Sequence, residues 1–390
     1  MQQLTINGCP VLIWTDQVEE SAMCQIANLA SLPFVFHHVA IMPDVHAGMG
    51  MPIGGVLACD NVVIPNAVGV DIGCGMCAVK TNWQVADIPT EVLRKQIMAG
   101  IRSRIPLGMS HHETEQDEAF LPQGHDIDKL EVVCKRVRTM RNWIGTLGGG
   151  NHFIELQKDE TGVLWIMLHS GSRNLGKLVG DHYNKLAVAL NERWYSSVPK
   201  DYRLAFLPVG CKEFSAYWNE MKYCVDFAFY NRKLMMERIQ EVLADALPGI
   251  AFEPMINIAH NYAAFENHFD KNVIVHRKGA TLAHAGVVGI IPGSQGTASY
   301  IVEGLGNPDS FCSCSHGAGR RLSRKSAIEQ LDMAEELERL NGLGIIHAIR
   351  NKGDMQEATG AYKDIEEVIA NEADLVKVRT RLLPIAVIKG

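Results

Sequence analysis

The chain has 390 residues, 47% hydrophobic and 21% charged, with a formal net charge of -7. This is the balance of a globular protein, and it excludes a global positive field that would draw nucleic acid to the whole surface; any phosphate site must be a local basic patch. The opening MQQLTINGCPVLIW lacks the basic flank and apolar run of a signal peptide, and no apolar stretch approaches the roughly 20 residues that cross a bilayer, so a cytoplasmic setting without membrane contact and with the ten cysteines as free thiols is expected.

Taken in chain order, helical spacing covers 20–31. Short apolar runs at His38–Met42, Gly55–Ala58 and Cys77–Val79 suit strands, and Pro89 and Thr90 open a helix toward Arg102. The polar stretch 106–128, with HHETEQDE inside it, reads as a surface loop, followed by a helix over 129–143. Strands are expected at His152–Leu156 and Val163–Leu168, then a long helix over Glu213–Leu247 whose aromatic and Met-rich stripe is core packing. Further strands are expected at Asn272–His276, Val287–Ile291 and Ala298–Val302. Without a βαβ repeat or a linker, these elements predict an α+β fold: one compact unit over residues 1–390, mixed sheets with surrounding helices.

Five glycine-rich stretches hold the chemistry: MPDVHAGMGMPIGG (42–55), VGVDIGCGMC (68–77), GTLGGGNHFIE (145–155), LHSGSRNLG (168–176), and PGSQGTASY (292–300) with CSHGAGRRLSR downstream (314–324). Glycine lets backbone approach a ligand and lets N–H groups converge on an anion. Asp71, Cys74, His152, His169 and His260 lie in or beside such segments, enough donors for two ions if one bridges; a lone histidine in a strand is more often a hydrogen-bonded core residue. Thiolate and imidazole donors favour zinc on softness. Cys74 and Cys77 form a C-x-x-C, half of a zinc site or a redox pair, but no second C-x-x-C completes it.

No phosphate-binding G-x-x-x-x-G-K-[ST] loop occurs, and no K-x-[DN]-G of lysine nucleotidyltransferases. His316 instead lies between Ser315 and a glycine-rich turn, with Arg320 and Arg324 spaced to stack on one helix face. A neutral imidazole can attack phosphorus, and arginines can hold phosphate oxygens; a turn-capping histidine with solvated arginines fits the same residues. A dinuclear phosphate-ester hydrolase or a non-catalytic RNA-binding protein would also accommodate this set, although aromatics are only 7% and not interleaved with the basic cluster as single-strand binders require.

The stretches MPDVHAGMGMPIGGV, VGVDIGCGM, GTLGGGNHFIE, HSGSRNLG, PGSQGTASY, SHGAGRRLSR and the terminal IKG resemble, in order, the signatures of the RtcB-type RNA-splicing ligase family from about residue 40 to Gly390. The resemblance implies a central metal and GTP cleft and an enzyme that joins RNA 2′,3′-cyclic phosphate or 3′-phosphate ends to 5′-hydroxyl ends with GTP and manganese. By the same resemblance His316 is the guanylylated histidine. Asp71 and His152 hold one manganese, His169 and His260 the other, and Cys74 bridges; zinc is a competing ion. Asn151, Glu155, Asn261, Pro292, Gly293, Ser294, Gln295, Ser299, Gly317, Ala318, Gly319 and Lys389 belong to the GTP pocket, and Arg173, Lys278, Arg320 and Arg324 hold RNA or GTP phosphates. Asp44 and His46 match the MPDVH element. Gln295 stands where methionine is expected. The chain is short for the family, which leaves contact with an activator protein open.

Overall fold

Alternation along the strands decides the architecture. In Gly75–Gln84, Met76 and Ala78 pack with Phe153, Trp165 and Met167 on one side, while Cys77 and Val79 pack with Ile97, Met235 and Ile239 on the other. Both faces are apolar and both are covered. The computed structural model describes residues 1–390 and builds two large sheets from such strands.

The seven-stranded sheet is antiparallel throughout, in the order Ile256–Ala259, Gly75–Gln84, Val163–Ser170, Phe153–Lys158, Val376–Lys389, Ser299–Gly304, Val288–Ile291. The six-stranded sheet runs Gln2–Ile6, Cys9–Ile13, Val35–His46, Ile53–Cys59, Lys271–Lys278, Asn261–His268, with one parallel pair, Cys9–Ile13 beside Val35–His46. Leu12, Met42, Val56 and Val275 on one face of this sheet meet Ile291, Tyr300 and Val302 of the other sheet. Its opposite face, through Val11, Ile13 and Ile41, is covered by the helix Glu20–Ala30. The α+β reading, the expected strands and all but one of the expected helices hold, with ends moved by a few residues and a π-helical turn at Leu93–Met98 inside the helix toward Arg102; no helix is long and apolar enough to cross a membrane.

One expected helix is halved. Only Val137–Trp143 of 129–143 is α-helical. The buried Glu220 carboxylate accepts the N–H groups of Val132 (3.0 Å) and Val133 (2.9 Å), which fixes the preceding residues as turns. The expected loop over 106–128 is irregular, but it is tied down: Arg238 donates to His112 Nε2 (2.8 Å), and Asn142 to the His112 carbonyl (2.9 Å).

The helix Lys212–Ala246 buries its apolar stripe, and two polar side chains go in with it: Asn231 and Arg232 are 0% and 1% exposed. Asn231 Oδ1 accepts from Gly145 N and Thr146 N, and its Nδ2 donates to Thr146 O, Ser170 Oγ and Gly171 O. Arg232 donates to Gly73 O (2.9 Å), Ser170 O (3.0 Å) and Asn257 Oδ1 (2.7 Å). One helix turn thereby holds three of the glycine-rich loops. Gly73 makes the approach possible: its φ is 78°, and a Cβ there would lie 2.8 Å from the Cys224 carbonyl of the same helix. Asn231→Leu would strand several buried polar groups, so denaturant unfolding should report a loss of about 3 kcal/mol or more at unchanged slope.

Candidate metal and nucleotide site

Strand register brings the metal-capable residues together. Gly75 pairs with Ser170 and with Ala259, and His169 pairs with Met76 and Phe153. Cys74, His152 and His260 each sit one residue beyond these strand ends, so four neighbouring strands deliver them at one level. Cys74 Sγ lies 3.2 Å from His169 Nε2 and 3.5 Å from His152 Nε2, and the Nε2 atoms of His169 and His260 are 3.0 Å apart. The donor atoms of Cys74, His169 and His260 all lie within 4.8 Å of one another.

Backbone carbonyls aim two of the rings. His152 Nδ1 meets Leu147 O at 2.9 Å and His169 Nδ1 meets Asn151 O at 3.2 Å, so Nδ1 carries the proton and each Nε2 presents a lone pair to the thiol. Burial, reinforced by neighbouring imidazoles and arginines, holds His152 and His260 well below the usual histidine range and brings His169 to about 3. Burial and the nearby Asp71 push the Cys74 thiol up to about 12. His260 Nδ1 is buried without a partner. Neutral imidazoles crowding a thiol, with lone pairs convergent, is a donor set that fits a cation. Asp71 stands outside this tight triad, its side chain open to the cleft beside it; burial of its base pushes its carboxyl up, opposed by Arg324, Lys278 and Lys177.

Cys77 is not part of the site. It is fully buried on the helix-facing side of its strand, a small core residue. The C-x-x-C spacing spans a loop and a strand, not one ligand cage.

The donors open onto a cleft of about 630 Å³ between the sheets. His316 lines it, with its ring centroid 4.8 Å from that of His260. Asp44, fully buried, receives His316 Nδ1 at 2.5 Å and the His316 backbone N–H at 3.0 Å on the same oxygen, Oδ2. That leaves Nε2 of His316 without a protein partner. His46 also lines the cleft, its Nδ1 2.9 Å from Asp44 O. Toward the other end, Gln157 donates to Glu155 Oε2 (2.7 Å) and to Ser299 Oγ (3.2 Å), and Gly293 N donates to the same Ser299 Oγ (3.2 Å). Burial raises Glu155 to about 7 and lowers buried Lys389. Ala318 N donates to Pro292 O, joining the PGSQ and SHGAG turns.

A family model described as tRNA-splicing ligase RtcB matches residues 25–390. The chain belongs to the RtcB family. It is 37% identical to the RNA-splicing ligase RtcB of Escherichia coli (strain K12), covering 99% of each chain. It is 32% identical to the tRNA-splicing ligase RtcB of Nanoarchaeum equitans, over 95% of this chain and 92% of that one, and 32% identical to the RNA-splicing ligase RtcB of Mycobacterium tuberculosis, over 94% and 100%.

Most residues singled out from the family signatures meet in this cleft: Asp71, Cys74, Asn151, Glu155, His169, His260, Asn261, Lys278, Pro292–Gln295, His316–Gly319, Arg320, Arg324 and Lys389 all line it. His152 sits behind Cys74, and Ser299 behind Gly293.

The basic residues depart from expectation. Arg320 and Arg324 do not share a helix face: Gly319 has φ 72° with its backbone pressed on the Asp44 carbonyl, Arg320 bridges to Tyr362, and the helix begins only at Arg324, capped by Ser323. The two arginines converge instead on buried Glu357, at 3.3 and 3.5 Å. Lys278 spends its ammonium protons on the carbonyls of Met49, Met51 and Asn66 (2.6, 2.9 and 3.1 Å), which ties down the 48–51 loop rather than presenting a free donor to phosphate. Arg173 lies outside the cleft lining, donating to Thr146 Oγ1 and Gly108 O.

Glu357 is the residue that sequence reasoning missed. Burial pushes its carboxyl up, but Lys389 at 3.4 Å, the Tyr362 hydroxyl and the two arginines hold it below the usual range. Its surroundings, KGDMQEATG, carry no glycine–nucleophile pattern that would have drawn attention to it.

Because Cys74 is a thiol in the metal-free protein, ion binding must displace its proton. Cobalt added to metal-free protein near neutral pH should release protons and produce a thiolate-to-metal absorption band. Cys74→Ala should lose the band and Cys77→Ala should keep it.

Proposed function

We propose that this member of the RtcB family joins RNA 2′,3′-cyclic phosphate or 3′-phosphate ends to 5′-hydroxyl ends, with GTP as co-substrate, through a histidine–guanylate on His316, and so serves RNA splicing or repair. The observation that carries this reading is the Asp44–His316 pair. A carboxylate fixed on Nδ1 leaves Nε2 facing an open cleft without a protein partner, the arrangement of an activated nucleophile. A phosphate-ester hydrolase using the same metal donors has no use for it.

GTP would lie with its base toward Glu155, Ser299 and Lys389 and its triphosphate toward His316 and the His316–Gly319 turn. His316 Nε2 attacks the α-phosphorus: the N–P bond forms, the bond to the β-phosphate oxygen breaks, and pyrophosphate leaves. Asp44 stabilises the positive charge that develops on the ring through Nδ1–H. Cyclic phosphate ends are opened by water to 3′-phosphates. The 3′-phosphate then attacks the histidine–guanylate, frees His316 and carries off GMP as an RNA 3′-guanylate. The 5′-hydroxyl attacks the 3′-phosphorus, the junction forms and GMP leaves. Arg320 and Arg324 sit on Glu357 beside this path, where anionic phosphate competes for their guanidinium donors.

Asp71 and His152 would hold one metal ion and His169 and His260 a second, with the Cys74 thiolate available to both. Bound ions would neutralise phosphate charge and lower the pKa of water. Manganese follows from the family resemblance, while the thiolate and imidazoles suit zinc equally, so zinc is a competing ion. A reducing cytoplasm suits a protein whose ten cysteines are all free.

Protein mixed with manganese and GTP labelled at the α-phosphate should take up label without RNA. The adduct should survive alkali and decay in mild acid, as phosphoramidates do. His316→Ala should abolish labelling yet still seal RNA that already carries a 3′-guanylate. Label on a lysine, or retained in His316→Ala, would overturn the reading. With RNA substrates, the 3′-phosphate and 5′-hydroxyl pair should be joined and the 5′-phosphate and 3′-hydroxyl pair should not. The labelled 3′-phosphate should remain in the junction; its release as free phosphate would exclude ligation.

A further inference from the structure

Behind His316 lies a second carboxyl that the proposed chemistry does not use. Glu372, at the C-terminal end of the helix Ile365–Asn371, is 0% exposed. Its Oε2 accepts the N–H of Ser315 at 2.9 Å, and the Ser315 hydroxyl lies against the same carboxyl. Ser315 is the residue before His316. On the far side of that backbone, Asp44 takes both His316 donors on Oδ2 alone. Three buried polar atoms here have no partner: Asp44 Oδ1, Ser315 Oγ and Glu372 Oε1.

Charge accounting around Glu372 finds no cation. The groups facing it are the Asp44 carboxylate from Val35–His46, the Cys314 thiol and Ser315 from Ser313–Ser315, and Asp374 on its own segment, whose carboxylate accepts from Trp14 Nε1 (3.0 Å). Arg277, the guanidinium on the Cys314 side, is engaged by Glu266, Ser313 and Phe311. Lys363 lies toward Asp44 and donates to the carbonyls of Gln17, Pro43 and Val45. Two ionised carboxylates buried near one another with one cation on one side only cannot both be stable; the one remote from the cation keeps a proton.

We propose that Glu372 is a positioning residue that stays protonated, which confines the negative charge behind His316 to Asp44 and so keeps that carboxylate, and the His316 ring bonded to it, correctly oriented for attack. The orphaned oxygens fit this state, because a protonated Glu372 brings a donor to a cluster that otherwise has only acceptors and a hydroxyl. Burial, with Asp44 adding to it, pushes the Glu372 carboxyl up to about 8. Above that pH its proton passes to solvent and a second negative charge appears behind His316. The two carboxylates then repel one another across the Ser315–His316 backbone, Asp44 is drawn off His316 Nδ1 and the fraction of rings aligned to attack phosphorus falls. The part that concerns attack on GTP rests on the role given to His316; the protonated state of Glu372 does not.

Two experiments separate these parts. Infrared difference spectra of the full-length protein between neutral and alkaline pH should show, beyond the contribution of Glu155 that a Glu155→Gln variant subtracts, loss of a protonated-carboxyl C=O band in the parent chain, and Glu372→Gln should lack that band. If the parent chain shows no such band, or if Glu372→Gln keeps it, Glu372 is not the proton holder. Single-turnover labelling of His316 with GTP should fall by about tenfold from neutral to alkaline pH in the parent chain. Glu372→Gln, the uncharged isostere, should label within about threefold of the parent at neutral pH and lose most of the alkaline fall. An alkaline fall of the same size in both proteins would overturn the positioning role. So would a folded Glu372→Gln that fails to label at neutral pH. Absence of labelling in the parent chain, with the infrared band present, would refute the reading of His316 instead and leave the proton on Glu372 standing.

Discussion

The site depends on two polar residues buried in the middle of an otherwise apolar helix stripe. Glycine-rich loops are costly to order because glycine loses more backbone freedom than other residues. Here the loops around Gly73, Gly145 and Gly171 are ordered only in part by side chains of their own, such as Ser172 donating to Ile72 O and Ser170 to Leu147 O. Asn231 and Arg232 supply hydrogen bonds from below to carbonyls and amides in all three. The arrangement also explains why those side chains tolerate burial: each of the polar atoms named here has a partner, which removes the penalty an unpaired amide or guanidinium would incur. The metal-capable residues then ride on loops whose backbone positions are set by a rigid helix.

A contrasting logic operates above the helix, where polar groups are left short of partners. His260 Nδ1, Asp44 Oδ1 and Glu372 Oε1 are buried and unpaired, and three imidazoles crowd one thiol. Native interiors seldom leave polar atoms this way, and a concentration of them marks where cations, protons or ligand atoms complete the structure. Around Cys74 the missing partner has the character of a cation. Around Glu372 it has the character of a proton. Positive charge is thus called for on both sides of His316, as an ion beside Cys74 and as a proton on the carboxyl behind the ring.

The sequence carried the site more clearly than it carried the scaffold. Glycine beside His, Asp or Cys is a local pattern, so Asp71, Cys74, His152, His169 and His316 could be singled out, but only strand register shows Cys74 and His260 meeting. The helix Leu175–Arg193 is absent from the sequence expectations: the stretch 168–176 reads as a glycine-rich loop, yet Gly176 opens the helix and lies with Gly180 on its buried face. A Cβ at Gly176 would come within 2.9 Å of the Ile72 backbone, so glycine is there for helix-to-loop packing, not for a turn. The strand Val376–Lys389 escaped in a similar way, because Pro384 interrupts its alternation at a register shift, where a proline is tolerated.

Arg320 and Arg324 show why spacing alone misleads near a functional turn. Four residues apart suggests one helical face, but helical geometry has to begin before it can be used. The positive φ at Gly319 and the Ser323 cap delay the helix to Arg324, and the guanidinia meet through a third residue, Glu357, from a distant part of the chain. An acidic hub shared by two arginines and Lys389 makes physical sense beside a cleft that receives polyanions. It holds three cations at short range without leaving them mutually repelling before phosphate arrives, and the partly exposed Arg324 remains free to exchange one anion for another.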